Sequence, residues 1–215
     1  MKKVLALFVL LSIGFHGCKD DEDGRTGPFL EEETFEVLEI STDFGKIYVQ
    51  LYDETPLHKA NFDSLTRAGF YDSTEFHRCV DDFVIQGGSP TSKDDNRNND
   101  GSGGPGYTIP AEIDSANFKH FYGALAAARL GNMTNPEKRS SGSQFYIVTD
   151  PDGAHFLDGQ YTTFGSVLAG MDVAKTIEMQ PKNSNGLPNE RIKMFVRYVT
   201  LTSEELSEKG IVLPL

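Results

Sequence analysis

The stretch that most restricts what this chain can become is Phe76-His77-Arg78-Cys79-Val80-Asp81-Asp82-Phe83-Val84-Ile85-Gln86-Gly87-Gly88. Phe76, Val80, Phe83, Val84 and Ile85 are the aromatic and branched types that suit a pleated, buried surface, so a strand-rich core is expected here. Arg78 and Gln86 interrupt it. A long polar side chain in an apolar wall is costly unless something meets it. The remaining sequence is therefore read for what would surround these two residues.

Order is expected from Thr34 onward. Residues 35–40 and 46–51 have period-two character and are joined by Ser41-Thr42-Asp43-Phe44-Gly45, which predicts a hairpin. Thr55-Pro56 then predicts a helix start, with Leu57, Ala60, Asn61, Leu65 and Ala68 at helical spacing and Gly69 as the stop. Residues 89–106 are polar and glycine-rich. Their acids, and the lack of a following Lys-Ser/Thr and helix, make them a surface loop rather than a phosphate cradle. The alanine-dense segment 123–129 fits either a helix or a strand packed tightly against a neighbour. Residues 142–149 predict a strand whose partner is expected in 161–168. Met171, Val173, Ala174 and Ile177 share one side of a helix over 170–179, and 191–201 alternates as a closing strand. Many short strands with two helices point to a barrel or sandwich rather than to alternating βαβ units.

The 215 residues, 38% hydrophobic and 24% charged, suffice for one well-buried domain with appended ends. A formal net charge of −12 with no basic stripe excludes a nucleic-acid partner. Nine acids stand against Lys19 and Arg25 between Lys19 and Glu39, so the acidity is concentrated in a solvated spacer. Lys2 and Lys3 precede an apolar run that is too short to span a bilayer and has the form of a secretory signal. Gly17-Cys18 resembles the lipobox of bacterial lipoproteins, although Phe15 and His16 depart from its usual residues. Cys18 is accordingly the expected lipidation site. The expected location is the cell envelope of a Gram-negative bacterium, anchored to the outer membrane at its periplasmic face or at the cell surface. Residues 1–17 read as a signal peptide, 18–33 as an acidic flexible tether, 34–202 as the folded domain and 203–215 as a C-terminal tail. Cys18 and Cys79 alone make no disulfide framework or metal-ligand set, and Cys79 reads as a small buried hydrophobe.

Phe76-His77-Arg78 with Phe83, then Gln86-Gly87-Gly88, Gly142-Ser143-Gln144-Phe145, Phe156-Leu157-Asp158-Gly159 and Phe164-Gly165 stand in an order and spacing that resembles the cyclophilin peptidyl-prolyl cis-trans isomerases. The resemblance runs over residues 35–201. It implies a mainly β fold, an eight-stranded antiparallel closed β-barrel capped by two α-helices, with a shallow groove on its wall for a proline-containing peptide. It assigns catalysis to Arg78, Gln86 and Phe83. It sets His77, Ala128, Arg129, Gln144, Tyr146, Phe156, Leu157 and Tyr161 along the substrate, with Phe83, Tyr146, Phe156 and Leu157 around the proline ring. His77 is the structural member of that set, because the reaction transfers no proton to substrate. Tyr161 stands where the family often has histidine and Arg129 where many members have asparagine. Phe156 stands where cyclosporin-sensitive members have tryptophan, so tight cyclosporin binding is not expected.

The chemistry gives these residue types a reason. Amide resonance imposes a barrier of about 18–20 kcal/mol on rotation, and the two X-Pro isomers are close in energy, so only the rate limits. In the twisted transition state the prolyl nitrogen regains a lone pair, which a fixed guanidinium such as that of Arg78 stabilises over either planar form. Gln86 holds the moving carbonyl, and an apolar floor holds the ring. No metal or other cofactor is implied, and a monomer is expected. The expected partners are proline-containing segments of exported proteins, whose folding the enzyme assists, and a membrane through Cys18. A non-catalytic peptide-binding chaperone module on the same fold and a structural surface lipoprotein are the competing readings.

Overall fold

The computed structural model describes residues 32–213; the expected signal peptide, Cys18 and the expected tether as far as residue 31 lie outside the described residues. The period-two pattern at the start yields β1 (Thr34–Thr42) and β2 (Gly45–Leu51), paired antiparallel with Ile40 opposite Ile47 and closed over the turn Asp43-Phe44. Helix α1 (Pro56–Arg67) comes next, then β3 (Thr74–Val80), β4 (Val84–Gly87) and the two-residue β5 (Thr108–Ile109). After them come β6 (Ala124–Ala127), β7 (Ser140–Ser141), β8 (Phe145–Val148) and β9 (Thr163–Ala169). The chain closes with α2 (Met171–Glu178), β10 (Lys193–Thr202) and α3 (Ser203–Glu208). Eight strands form a closed antiparallel barrel in the order β1-β10-β3-β4-β8-β6-β9-β2, and β5 pairs with β7 apart from it. Its interior is filled by residues such as Ile40, Ile47, Phe76, Ile85, Leu125, Phe145, Ile147 and Met194.

Segment 123–129 resolves as strand, and it corrects the pairing expected for β8. That strand pairs with β4 and β6, and β9 pairs with β6 and β2, so β6 lies between the two elements expected to be partners. The reason lies in the alanines. Leu125 and Ala127 pack into the barrel while Ala124 and Ala126 pack on its outer side, so both faces of β6 are covered and alanine takes three of its four positions. Gly165 on β9 has the same cause, since a Cβ there would run into the Gln50 carbonyl of β2.

Two further expectations change. The first concerns α1, where Leu57 is 49% exposed and the buried residues are His58, Phe62, Leu65 and Thr66. Thr55 provides no side-chain cap; its hydroxyl donates to the Tyr52 carbonyl instead. The free N–H groups of the first turn are met from far along the chain by Glu112, whose carboxylate accepts from Leu57 N and His58 N, both at 2.9 Å, and from His58 Nδ1 at 2.5 Å. The second concerns the C-terminal tail, which adds a third helix to the two expected. Thr202 and Glu205 form a reciprocal capping box that starts α3, and Leu206 and Ile211 then pack with Val37, Tyr48 and Leu201.

Because one partly buried carboxylate serves three donors, Glu112→Ala is expected to lower unfolding free energy by about 2 kcal/mol. Urea unfolding read by circular dichroism measures this, and an unchanged midpoint would show that water caps α1 equally well.

Candidate active site

Register decides what faces outward. Across four neighbouring strands Arg78 of β3 pairs with Gln86 of β4, Gln86 with Tyr146 of β8, and Tyr146 with Ala126 of β6. The adjacent row, Cys79, Ile85, Ile147 and Leu125, packs inside the barrel. Successive strand residues point to opposite faces, yet Phe76 and Cys79, three apart, both belong to the interior. A register shift between Phe76 and Arg78 reconciles them, because β3 carries one extra residue, His77, opposite β4. Such a bulge re-aims the side chains beyond it. Here it delivers Arg78 to the outer wall.

His77 is 6% exposed, and among the described residues neither ring nitrogen has a hydrogen-bond partner. Gly101 lies against it with φ +82, and a Cβ at that glycine would come within 2.7 Å of His77 Cδ2. Burial, reinforced by the charge of Arg78, pushes the His77 pKa down to about 4. At neutral pH the ring is uncharged and does not compete electrostatically with its neighbour. Cys79 is fully buried, and burial pushes its thiol up to about 12, which removes it as a nucleophile.

Over the outward row lies a hollow of about 250 Å³. Arg78, Phe83, Gln86, Ala128, Arg129, Tyr146, Leu157 and Tyr161 line it, together with Val84, which the sequence marks only as a core residue. The Arg78 guanidinium sits 5.9 Å from the centre of the Phe83 ring. The acids within four residues of Arg78 are all engaged elsewhere, Glu75 by Arg191 at 2.6 Å, Asp81 by Lys182 at 2.5 Å and Asp82 by Lys175 at 3.1 Å. The cation of Arg78 is thus left for a ligand. Gln86 Nε2 donates to Gln144 Oε1 at 3.1 Å, and Gln144 Nε2 donates to the carbonyls of Gly101 and Gly103. Arg129 stacks over Tyr161 at 4.4 Å from the ring centre.

Three residues assigned to the groove from sequence stand outside this hollow. His77 is behind Arg78, Gln144 holds Gln86 from the side, and Phe156, 71% exposed, stacks on Phe83 at 5.4 Å between ring centres. Beneath the hollow is a layer that the sequence does not mark. Tyr146 donates its hydroxyl to His120 Nε2 at 2.9 Å, and His120 Nδ1 donates to Asp158 Oδ1 at 2.8 Å. The His120 backbone N–H also donates to Asp158 Oδ1, and Ala154 N donates to the His120 carbonyl, so the turn carrying Phe156 and Leu157 is clamped on both flanks. Burial lowers the His120 pKa and raises that of Tyr146 well above its ordinary value, which keeps this chain of donors in one protonation state. Among the described residues no group of three or more His, Cys, Asp or Glu is placed to hold a metal ion.

An antiparallel eight-stranded barrel with an arginine, a glutamine and an aromatic floor on its outer wall defines a class, and the comparisons with known proteins agree with it. The family model described as "Cyclophilin type peptidyl-prolyl cis-trans isomerase/CLD" matches residues 37–197. "Peptidyl-prolyl cis-trans isomerase B" of Bacillus subtilis is 40% identical over 154 residues, 71% of this chain and 90% of that protein. "Peptidyl-prolyl cis-trans isomerase ppi1" of Schizosaccharomyces pombe is 37% identical over 161 residues, 73% of this chain and 94% of that protein. The crystal structure of a cyclophilin-type isomerase from Cryptosporidium parvum superposes with a TM-score of 0.66 at 28% identity, covering 79% of this chain and 99% of that one. This chain belongs to the cyclophilin-type peptidyl-prolyl cis-trans isomerases.

The low pKa of His77 has a sign that can be measured. A histidine whose folded pKa lies below its unfolded value near 6.5 adds stability above pH 6.5, and that contribution is lost as the pH falls toward 4. The stability difference between the wild type and His77→Asn should shrink by about 3 kcal/mol between pH 7 and pH 4 in urea unfolding. A difference independent of pH would mean that the ring is not held neutral.

Proposed function

We propose that the hollow on the outer barrel wall is the isomerisation site, with Arg78 as the catalytic cation. The observation that carries this is the Arg78 guanidinium, unpaired among the described residues, at the edge of an aromatic floor, set there by a bulge, with its neighbouring acids engaged elsewhere. Phe83, Tyr146 and Leu157 offer apolar surface of the size of a pyrrolidine ring, and the hollow of about 250 Å³ is shallow enough for a chain to pass over it. With the ring held, the acyl group preceding it turns. Gln86 keeps one N–H beyond that given to Gln144, and this donor tracks the moving carbonyl oxygen. Arg78 donates to the prolyl nitrogen as it becomes pyramidal, an interaction stronger in the twisted state than in either planar one. Ala128 and Arg129 at the opposite edge border the path of the peptide backbone. Phe156 supplies stacking area but no ring N–H, which supports weak rather than tight cyclosporin binding.

The clients in this reading are exported proteins, whose folding is limited by X-Pro bonds. Its support is the N-terminal sequence: a basic start, a short apolar run, Gly17-Cys18 and an acidic spacer ahead of the folded body. A lipid on Cys18 would hold a monomeric enzyme at the outer membrane of a Gram-negative cell, on a leash long enough to reach passing chains.

Arg78→Ala should lower kcat/KM on a proline-containing tetrapeptide by about 100-fold while peptide binding persists, and Arg78→Lys should restore only part of it because an ammonium lacks the planar fork. Unchanged rates in Arg78→Ala would remove the arginine from the mechanism. For the anchor, Cys18→Ser should move the protein from the membrane fraction to the soluble fraction of the cell envelope; equal partitioning of both forms would exclude a lipid at that position.

A further inference from the structure

Beside the proline hollow lies a second one of about 900 Å³, joined to it through Gln86, Ala128 and Arg129. One wall is the glycine-rich turn that includes Gly101 and Gly103; the facing wall carries Arg129 and Arg139. Among the described residues no acidic one lines this hollow, in a protein whose formal net charge is −12. Ion pairs among the described residues engage Arg67, Arg97 and Arg191 but not Arg129 or Arg139. Both of these are nonetheless fixed. Arg139 donates from Nε to Thr108 Oγ1 at 2.7 Å and from Nη2 to the Thr108 carbonyl at 2.8 Å. Arg129 donates from Nε to the Gln160 carbonyl at 2.7 Å and from Nη1 to the Leu130 carbonyl at 2.8 Å. Neutral oxygens therefore orient the two guanidinium groups without cancelling their charge. Nη1 of Arg139 and Nη2 of Arg129 have donors to spare, and such a fork suits a carboxylate or phosphate group.

We propose that this second hollow selects substrates bearing an anionic side chain one to three residues before the proline, with Arg139 as the specificity-determining residue and Arg129 assisting. The inference rests on the isomerase reading of the first hollow. The substrate position is set by Gln86, which serves the carbonyl preceding proline and stands at the junction of the two hollows. An extended chain advances about 3.3–3.6 Å per residue, so the neighbouring hollow meets the residues immediately upstream. The sign of the effect is diagnostic. A protein of net charge −12 repels anionic peptides at long range, so a preference for acid must arise locally.

The test compares kcat/KM for peptides carrying Ala, Glu, Lys or phosphoserine at each of the three positions before proline. Glu is expected to exceed Ala by about fivefold at one of those positions and Lys to fall below Ala, with phosphoserine at or above Glu. R139E should invert the Glu-to-Lys ratio, and R139K should keep its sign while reducing it. Because Arg139 also anchors Thr108, R139K and the wild-type series carry the test if R139E does not fold. Equal rates for Glu and Ala at all three positions, or a Glu preference untouched by both variants, would overturn the inference. A preference for phosphoserine without one for Glu would overturn the carboxylate as its ligand. Absence of isomerisation on every peptide, the Ala series included, would instead count against the isomerase reading itself.

Discussion

The site depends on strand register between β3 and β4. Arg78 opposite Gln86 on the outside requires Cys79 opposite Ile85 on the inside, and the extra residue at His77 is what makes both compatible with Phe76 in the core. Slipping either strand by one residue would exchange the two faces, sending a guanidinium into the barrel and a phenyl ring into water. Burying an unpaired arginine costs far more than any side-chain rearrangement can return, so the barrel cannot close in that register. Stability of the fold and exposure of the cation are thus enforced by the same pairing.

The walls of the hollow are held by quite different means. On the β6 side the support is the absence of bulk: Ala124 and Ala126 leave room for Tyr146 and Val148 to pack flat. On the side of Phe156 and Leu157 the support is polar, a clamp from Asp158 to His120 and on to Tyr146. The electrostatics show the same division. Lysines absorb the acids at the β3–β4 turn, while Arg129 and Arg139 are oriented by carbonyls and a hydroxyl and keep their charge.

Much of this was legible in the sequence, and the parts that were not have a common cause. The hairpin of β1 and β2, the start of α1 and the strand at β8 are local patterns, each carried by residues close in the chain, whereas the positions lining the hollow were legible only through the family resemblance. What escaped depends on partners far apart. Glu112 caps α1 from 54 residues away, the insertion of β6 between β8 and β9 changes which strands are neighbours, and Asp158 fixes His120 across 38 residues. The bulge did leave a trace, since Phe76 and Cys79 are apolar at a spacing of three where strict alternation calls for two. The exposed Leu57 shows the limit of helical periodicity, which finds the helix but not the face that its neighbours choose to cover.

The hollow lies on the outer face of a closed barrel and is continued by two further depressions, one reached past Arg78 toward Asn183 and Asn185, the other past Arg129. A channel or a blind cavity admits a polypeptide only by its end. A trough on an outer surface has no such requirement, and a strand can be laid across it sideways and lifted off again. An enzyme built this way can engage a proline far from either terminus of a polypeptide.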